Sequence, residues 1–259
     1  MNDVESERLT VGSGDAVRDI AVLCRPGTAP GLFWLGGFRS DMAGAKAAHL
    51  DLWAETSRHA CTRFDYSGHG SSGGRFEDGT ISRWLDESEA VFERFAPGRR
   101  ILVGSSMGGW LALLLARRLR ETGRVDRLAG MILIAPAVDM TEALIWERLG
   151  AKARLALERD GFVAEPSEYS EASNILTRAL IEDGRGHLFG DHPIETGCPV
   201  HVIQGMRDPD VPWDHATALM EKLAFDDAVL TLVRDGDHRL SRPEDLERLT
   251  RAVEAMVAD

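Results

Sequence analysis

From residue 31 onward, short apolar runs alternate with stretches patterned for helix, and that alternation leaves few folds open. The runs are "GLFWLGG" (31–37), "HACTRFDY" (59–66), "ILVGS" (101–105), "MILIAP" (131–136), "VHVIQG" (200–205) and "VLTLVR" (229–234). Helical patterns fall over about 43–58, 80–95, 107–121, 214–223 and 243–257. The middle runs are apolar at consecutive positions, as strands covered on both faces are. Two earlier runs, "RLTVG" (8–12) and "DIAVLC" (19–24), have no helical pattern between them and predict an antiparallel start. The expectation is an α/β chain with a doubly wound, mostly parallel eight-stranded sheet, its 259 residues forming a single domain.

One interval breaks the rhythm. More than 60 residues separate "MILIAP" from "VHVIQG", too many for one crossover helix. Within them 142–160 and 167–184 have helical patterning, and Leu144, Ile145, Leu149, Ala153, Ala156 and Leu157 recur at spacings of three and four. Residues 138–197 or so are therefore expected to form a helical insertion lying over the carboxyl edge of the sheet. Two extra surface helices without a binding role are the alternative.

A formal net charge of −12 disfavours nucleic acid and anionic membrane surfaces, which select clustered Lys and Arg. The densest basic stretch, "ARRLR" (116–120), falls in a helical pattern. Cys24, Cys61 and Cys198 are widely spaced; the first two lie in strand-like runs and are expected to be reduced. No group of Cys, His and carboxylates has metal-ligand spacing, so neither a metal nor another cofactor is implied. "MNDVESERLT" is a poor match to a signal or transit peptide, and no stretch approaches the about 18 apolar residues of a spanning helix. A cytoplasmic protein without stable membrane association is expected.

"ILVGSSMGGW" (101–110) places polar residues at the carboxyl end of a buried strand, where open parallel sheets bind ligands. G-x-S-x-G fits Gly104, Ser106 and Gly108; centring it on Ser105 would put Val103 and Met107 in the glycine positions. Small residues are needed there because a nucleophile on a sharp strand-to-helix turn leaves no room two residues either way. Ser106 is the candidate nucleophile, and the helix beginning at 107 aims its positive end at a developing oxyanion.

A serine hydroxyl needs a base, and the base an orienting carboxylate. "VIQGMRDPDVPW" supplies Asp208 just past a late strand, with Asp210 as its rival. "VRDGDHRL" supplies His238 after the next strand, completing the order Ser, Asp, His. Of the other histidines only His69, in "DYSGHGSSGG", sits in a glycine-rich loop expected near the site. "GGFRSDM" (36–42) opens another such loop; its Phe38 N–H is expected to pair with that of Met107 as the oxyanion hole. Gly37, Arg39 and, from the insertion, Trp146 are the candidates for substrate contact.

"RFDYSGHGSSGG", "ILVGSSMGGW", "CPVHVIQGMRDPDVPW" and "DGDHRL" together resemble the α/β-hydrolase superfamily, and within it the palmitoyl-protein thioesterase group. The resemblance implies an α/β-hydrolase fold with a helical cap, and hydrolysis of acyl thioesters, including S-acylated cysteine, or of carboxylic esters, including acyl glucuronides. By matching, Ser106 is the nucleophile, Asp208 the acid and His238 the base. In the insertion only "PSEYSE" (166–171) matches well. The substrate is then a small molecule or an acylated cysteine. Competing readings are a small-molecule carboxylesterase, a carbon–carbon bond hydrolase on the same fold, and a catalytically silent ligand-binding module.

Overall fold

The computed structural model describes residues 3–165 and 174–258. Ten strands are assigned among them: β1 (Glu5–Val11), β2 (Arg18–Arg25), β3 (Thr28–Leu35), β4 (His59–Phe64), β5 (Arg100–Ser105), β6 (Leu128–Ile134), β7 (Phe162–Glu165), β8 (Asn174–Thr177), β9 (Val200–Gly205) and β10 (Ala228–Val233). The α-helices are α1 (Ala45–Ser57), α2 (Ile81–Phe95), α3 (Met107–Glu121), α4 (Ala151–Asp160), α5 (Arg178–Arg185), α6 (Trp213–Lys222) and α7 (Pro243–Ala258). Eight strands form one sheet in the order β1-β2-β4-β3-β5-β6-β9-β10. β2 is antiparallel to both β1 and β4, and every other neighbouring pair is parallel. This is the α/β-hydrolase architecture expected from the sequence.

The consecutive apolar residues of the central strands divide between two cores by parity, because successive side chains point to opposite faces. Phe33, Leu35, Leu102, Met131, Leu133, Val200 and Val202 face one core with residues of α2, α3 and α6. Leu32, Trp34, Ile101, Val103, Ile132, Ile134 and Ile203 face the other, packed against α1 and α7. All six residues of β5 are buried. α3 is apolar around most of its circumference, and Trp110, Leu111, Leu114 and Leu115 are fully enclosed. Each such side chain contributes about 1.5–3 kcal/mol on leaving water. The strand and helix feeding Ser106 are thus the most deeply set in the molecule.

The segment between β6 and β9 departs from the two long helices expected there. Residues Met140–Ile145 form a π-helical turn and Trp146–Arg148 a 3-10 turn; regular α-helix begins only at Ala151. Thr141 is completely buried against Gly184, where an added Cβ would lie 2.2 Å from the Thr141 hydroxyl, and that contact ties the widened turn to α5. Of the second expected helix, the described part is helical from Arg178. Residues 174–177 instead pair antiparallel with 162–165 as a β7–β8 hairpin, and 166–173, with "PSEYSE", lie outside the described residues. The segment returns to its own start: Asp139, with φ 55°, accepts hydrogen bonds from the N–H groups of Phe189 (2.8 Å) and Gly190 (2.9 Å). Among the described residues no helix is long and apolar enough to cross a membrane. Cys24, Cys61 and Cys198 are free thiols, and burial pushes Cys61 up to about 12.

Candidate active site

Ser106 sits between β5 and α3 with φ 55° and ψ −119°, a backbone conformation that costs a non-glycine residue about 1–3 kcal/mol. The flanking glycines are sterically required. A Cβ on Gly104 would lie 2.3 Å from the Gly108 carbonyl oxygen, and one on Gly108 would lie 2.0 Å from that of Leu35 and 2.5 Å from that of Gly36. The Ser106 N–H donates to the carbonyl of Ile134 (2.8 Å), and its own carbonyl accepts from Gly109 and Ala137. The turn is therefore held by β6 as well as by its own helix.

β9 and β10 end beside this turn. Asp208 follows β9 on a turn in which its Oδ1 accepts the N–H groups of Asp210 and Val211, both at 2.9 Å. Its Oδ2 lies 2.8 Å from His238 Nδ1, and His238 Nε2 lies 3.1 Å from Ser106 Oγ. Asp208, rather than its rival Asp210, thus meets the imidazole; Asp210 contributes a backbone donor. The Asp208 side chain is wholly inaccessible and that of His238 is 19% exposed, so the carboxylate end is dry and the imidazole is within reach of solvent. Asp208, Asp210 and His238 also bring ligand-type atoms within 4.8 Å of one another, a grouping hidden in the sequence spacing. The carboxylate of Asp208 is already engaged there by His238, Gln204 and two backbone donors.

The loop after β3 passes directly over the serine. A Cβ on Gly37 would come 3.4 Å from that of Ser106 and 3.3 Å from the Ser105 carbonyl oxygen, so the backbone at 37 lies in close contact with the serine turn. Neither the Phe38 nor the Met107 N–H donates to a protein acceptor among the described residues. Arg39 stacks on the Phe76 ring at 4.3 Å and lines a cavity of about 210 Å³ with Ser40, Asp41, His69 and Phe76. Ser106 and His238 do not line it. Trp146 is clasped between Arg154 and Arg185, each 4.9 Å from its ring.

One residue escaped sequence reasoning, and another was singled out there without a role. Gln204, fully buried on β9, donates through its amide to Asp208 Oδ2 (3.2 Å) and to the carbonyls of Gly205 and Val211. A polar residue in an apolar strand was the available signal. His69 accepts the Arg39 N–H, with a glycine-rich loop as its only advertisement.

A model described as the alpha/beta hydrolase family matches residues 21–249. The human protein named palmitoyl-protein thioesterase ABHD10, mitochondrial, is 31% identical over 232 residues, 89% of this chain and 74% of its own. A solved structure from Agrobacterium vitis S4, assigned as a hydrolase, superimposes with a TM-score of 0.94 at 53% identity, over 98% of this chain and 99% of that one. Alpha/beta hydrolase domain-containing protein 10 from mouse gives 0.86 at 28% identity, over 97% and 98%. With family model, relatives and architecture in agreement, the chain belongs to the alpha/beta hydrolase family.

Proposed function

We propose that this chain is a serine hydrolase that cleaves acyl thioesters or carboxylic esters through an acyl-enzyme on Ser106. The observation that carries the reading is the unbroken line from the Ser106 hydroxyl through His238 to the buried Asp208 carboxylate, at 3.1 and 2.8 Å. Neutral His238 takes the hydroxyl proton as Ser106 Oγ bonds to the acyl carbon. The carbonyl electron pair moves onto oxygen, held by the N–H groups of Met107 and Phe38. Collapse expels the sulfur or oxygen leaving group, which takes the imidazolium proton and departs as thiol or alcohol, returning His238 to its neutral form. Water, giving its proton to His238, then releases the carboxylic acid and frees the serine. Asp208 can only accept from Nδ1–H, which leaves the Nε2 lone pair facing the hydroxyl.

The thioester branch is favoured by likeness to proteins named palmitoyl-protein thioesterases, at 31% identity. Residues 138–197 are assigned as a cap within the single domain 1–259, with Gly37, Arg39 and Trp146 contacting substrate. The occupant of this site is a small acylated molecule or an acylated cysteine. A small-molecule carboxylesterase or acyl-glucuronide esterase would use the same machinery with a different pocket. Covalent labelling by a fluorophosphonate should occur in the parent and vanish in Ser106→Ala, whose kcat should fall about a million-fold. Paired thioesters and oxyesters of matched chain length then separate the branches. Labelling retained in Ser106→Ala, or activity within about ten-fold of the parent, overturns the assignment.

A further inference from the structure

The loop carrying Phe38 is held from behind by a second loop, 65–73, that takes no part in the steps above. His69 is its centre. The ring is 4% exposed and sits among Tyr66, Phe76 and Trp84, with centroids at 5.6, 5.1 and 5.2 Å. Its Nδ1 lies 3.2 Å from the Ser67 carbonyl oxygen, which can only accept; Nδ1 therefore carries the proton. Nε2 is then a bare lone pair, and it receives the Arg39 backbone N–H at 3.1 Å. The two bonds define one neutral tautomer, and burial pushes the imidazole down to about 4, which keeps it neutral.

The support behind the ring is also fixed. The Ser67 N–H donates to the fully buried Glu87 (2.8 Å), and the Ser67 carbonyl accepts Trp84 Nε1 as well (3.2 Å). Asp65, at the root of the same loop, accepts the Met42 N–H at 2.7 Å and the Ser71 N–H at 2.8 Å. Two consecutive loops are thus joined at Arg39 and at Met42. Phe38 is bracketed on three sides. Its ring packs on Phe76 and Trp84 at 4.9 and 6.0 Å, its following peptide is held by His69, and Gly37 before it abuts Ser106. Arg39 itself is held at φ 58°, a conformation a non-glycine residue keeps only under restraint.

We infer that His69 is a positioning residue for catalysis: by accepting the Arg39 N–H it orients the 37–39 backbone so that the Phe38 N–H faces the oxyanion formed on Ser106. This rests on the serine-hydrolase reading above. His69 acts here through the peptide it holds rather than on the reacting atoms.

The test uses the full chain and three variants. His69→Phe keeps a ring in the aromatic cage but removes the acceptor, while His69→Gln can place an amide oxygen near the Nε2 position. If His69→Phe does not fold, His69→Asn replaces it, since its amide ends near Nδ1, short of Arg39. Each is measured for kcat and KM on one ester or thioester, and for inhibition by a trifluoromethyl ketone, whose adduct with Ser106 carries an oxyanion. His69→Phe or His69→Asn should lower kcat about 10- to 100-fold, with KM changed less than about threefold. Ketone inhibition should weaken by the same factor, and His69→Gln should return both to within about fivefold of the parent. The inference is overturned if the acceptor-less variant stays within about threefold of the parent, or if Gln and the acceptor-less variant fall equally. A kcat that falls while ketone inhibition stays put overturns it too, because a loss of packing alone would give that pattern. Fluorophosphonate labelling of the parent keeps the two readings apart. A labelled parent with an indifferent His69 defeats this inference alone; an unlabelled parent defeats both.

Discussion

Replacing Gly108 by alanine tests the geometry at its tightest point. The new methyl would sit 2.0 Å from the Leu35 carbonyl oxygen and 2.5 Å from that of Gly36. Both are backbone atoms, one at the end of β3 and one in the loop that passes over Ser106, so no side-chain rotation relieves the contact. Ordinary contact requires α3 and the end of β3 with its loop to separate by about 1.4 Å. In a core packed to crystal-like density such overpacking costs about 1–3 kcal/mol, and for a chain of this size about 2 kcal/mol lowers Tm by about 6 °C. The same retreat carries the Phe38 N–H away from the Met107 N–H, and a shift of about 1 Å in a reacting constellation costs about a hundredfold in rate. Gly150→Ala is the control: nothing lies within 4 Å of its added Cβ, and its φ is −66°. Thermal unfolding followed by circular dichroism and kcat on one ester substrate are the readouts. Gly108→Ala matching Gly150→Ala in both Tm and kcat would show that the turn is not held as tightly as described.

Asp208→Asn should lower kcat by about ten thousand-fold with little change in KM, because an amide facing Nδ1 favours the wrong imidazole tautomer; steady-state kinetics at one pH checks it. Stability should fall in acid in part through His69. Its neutral form belongs to the folded state and its value lies near 4, against 6.5 for the ordinary group, so its contribution is complete above about 6.5 and is lost as the pH falls through about 4. The loss is on the order of 3 kcal/mol. Burial moves His187, His201 and His215 the same way, so the readout is the difference in urea unfolding between parent and His69→Gln at pH 7 and at pH 4.5. Asp51→Ala should cost about 3–5 kcal/mol, since its carboxylate lies 2.8 Å from Arg25 and 3.2 Å from Arg63, both nearly buried. Denaturant titration measures that loss.

The frame was legible in the sequence because its signals are local. β9 and α3 have the bounds their patterns predict, since a strand buried on both faces and a helix opening after a glycine-flanked serine each announce themselves within about ten residues. Ser106 was distinguishable from Ser105 for the same reason. Asp208 was preferred to Asp210 by its place just past the strand and by the family resemblance; physically, the turn that folds its carboxylate onto the N–H groups of 210 and 211 and against His238 separates the two. The π-helical turn at 140–145 was missed because it depends on a distant partner, Gly184 against Thr141, and the β7–β8 hairpin because each of its strands is only four residues long. The bond from Arg39 to His69 spans thirty residues between loops with no period to read.

Asp139 has a consequence for how such a chain diversifies. Because one carboxylate holds the backbone at 189 and 190 beside the end of β6, the roughly fifty residues in between leave and rejoin the sheet at nearly one point. The segment also touches the acid-bearing turn, where Arg148 donates to the Asp210 carbonyl at 2.8 Å, so changes of length that keep Arg148 and the Asp139 clasp should leave the strands that bear Ser106, Asp208 and His238 in place. A graft cut at that clasp and retaining Arg148 should keep the host's line from Ser106 through His238 to Asp208 while exchanging the surface between residues 139 and 189.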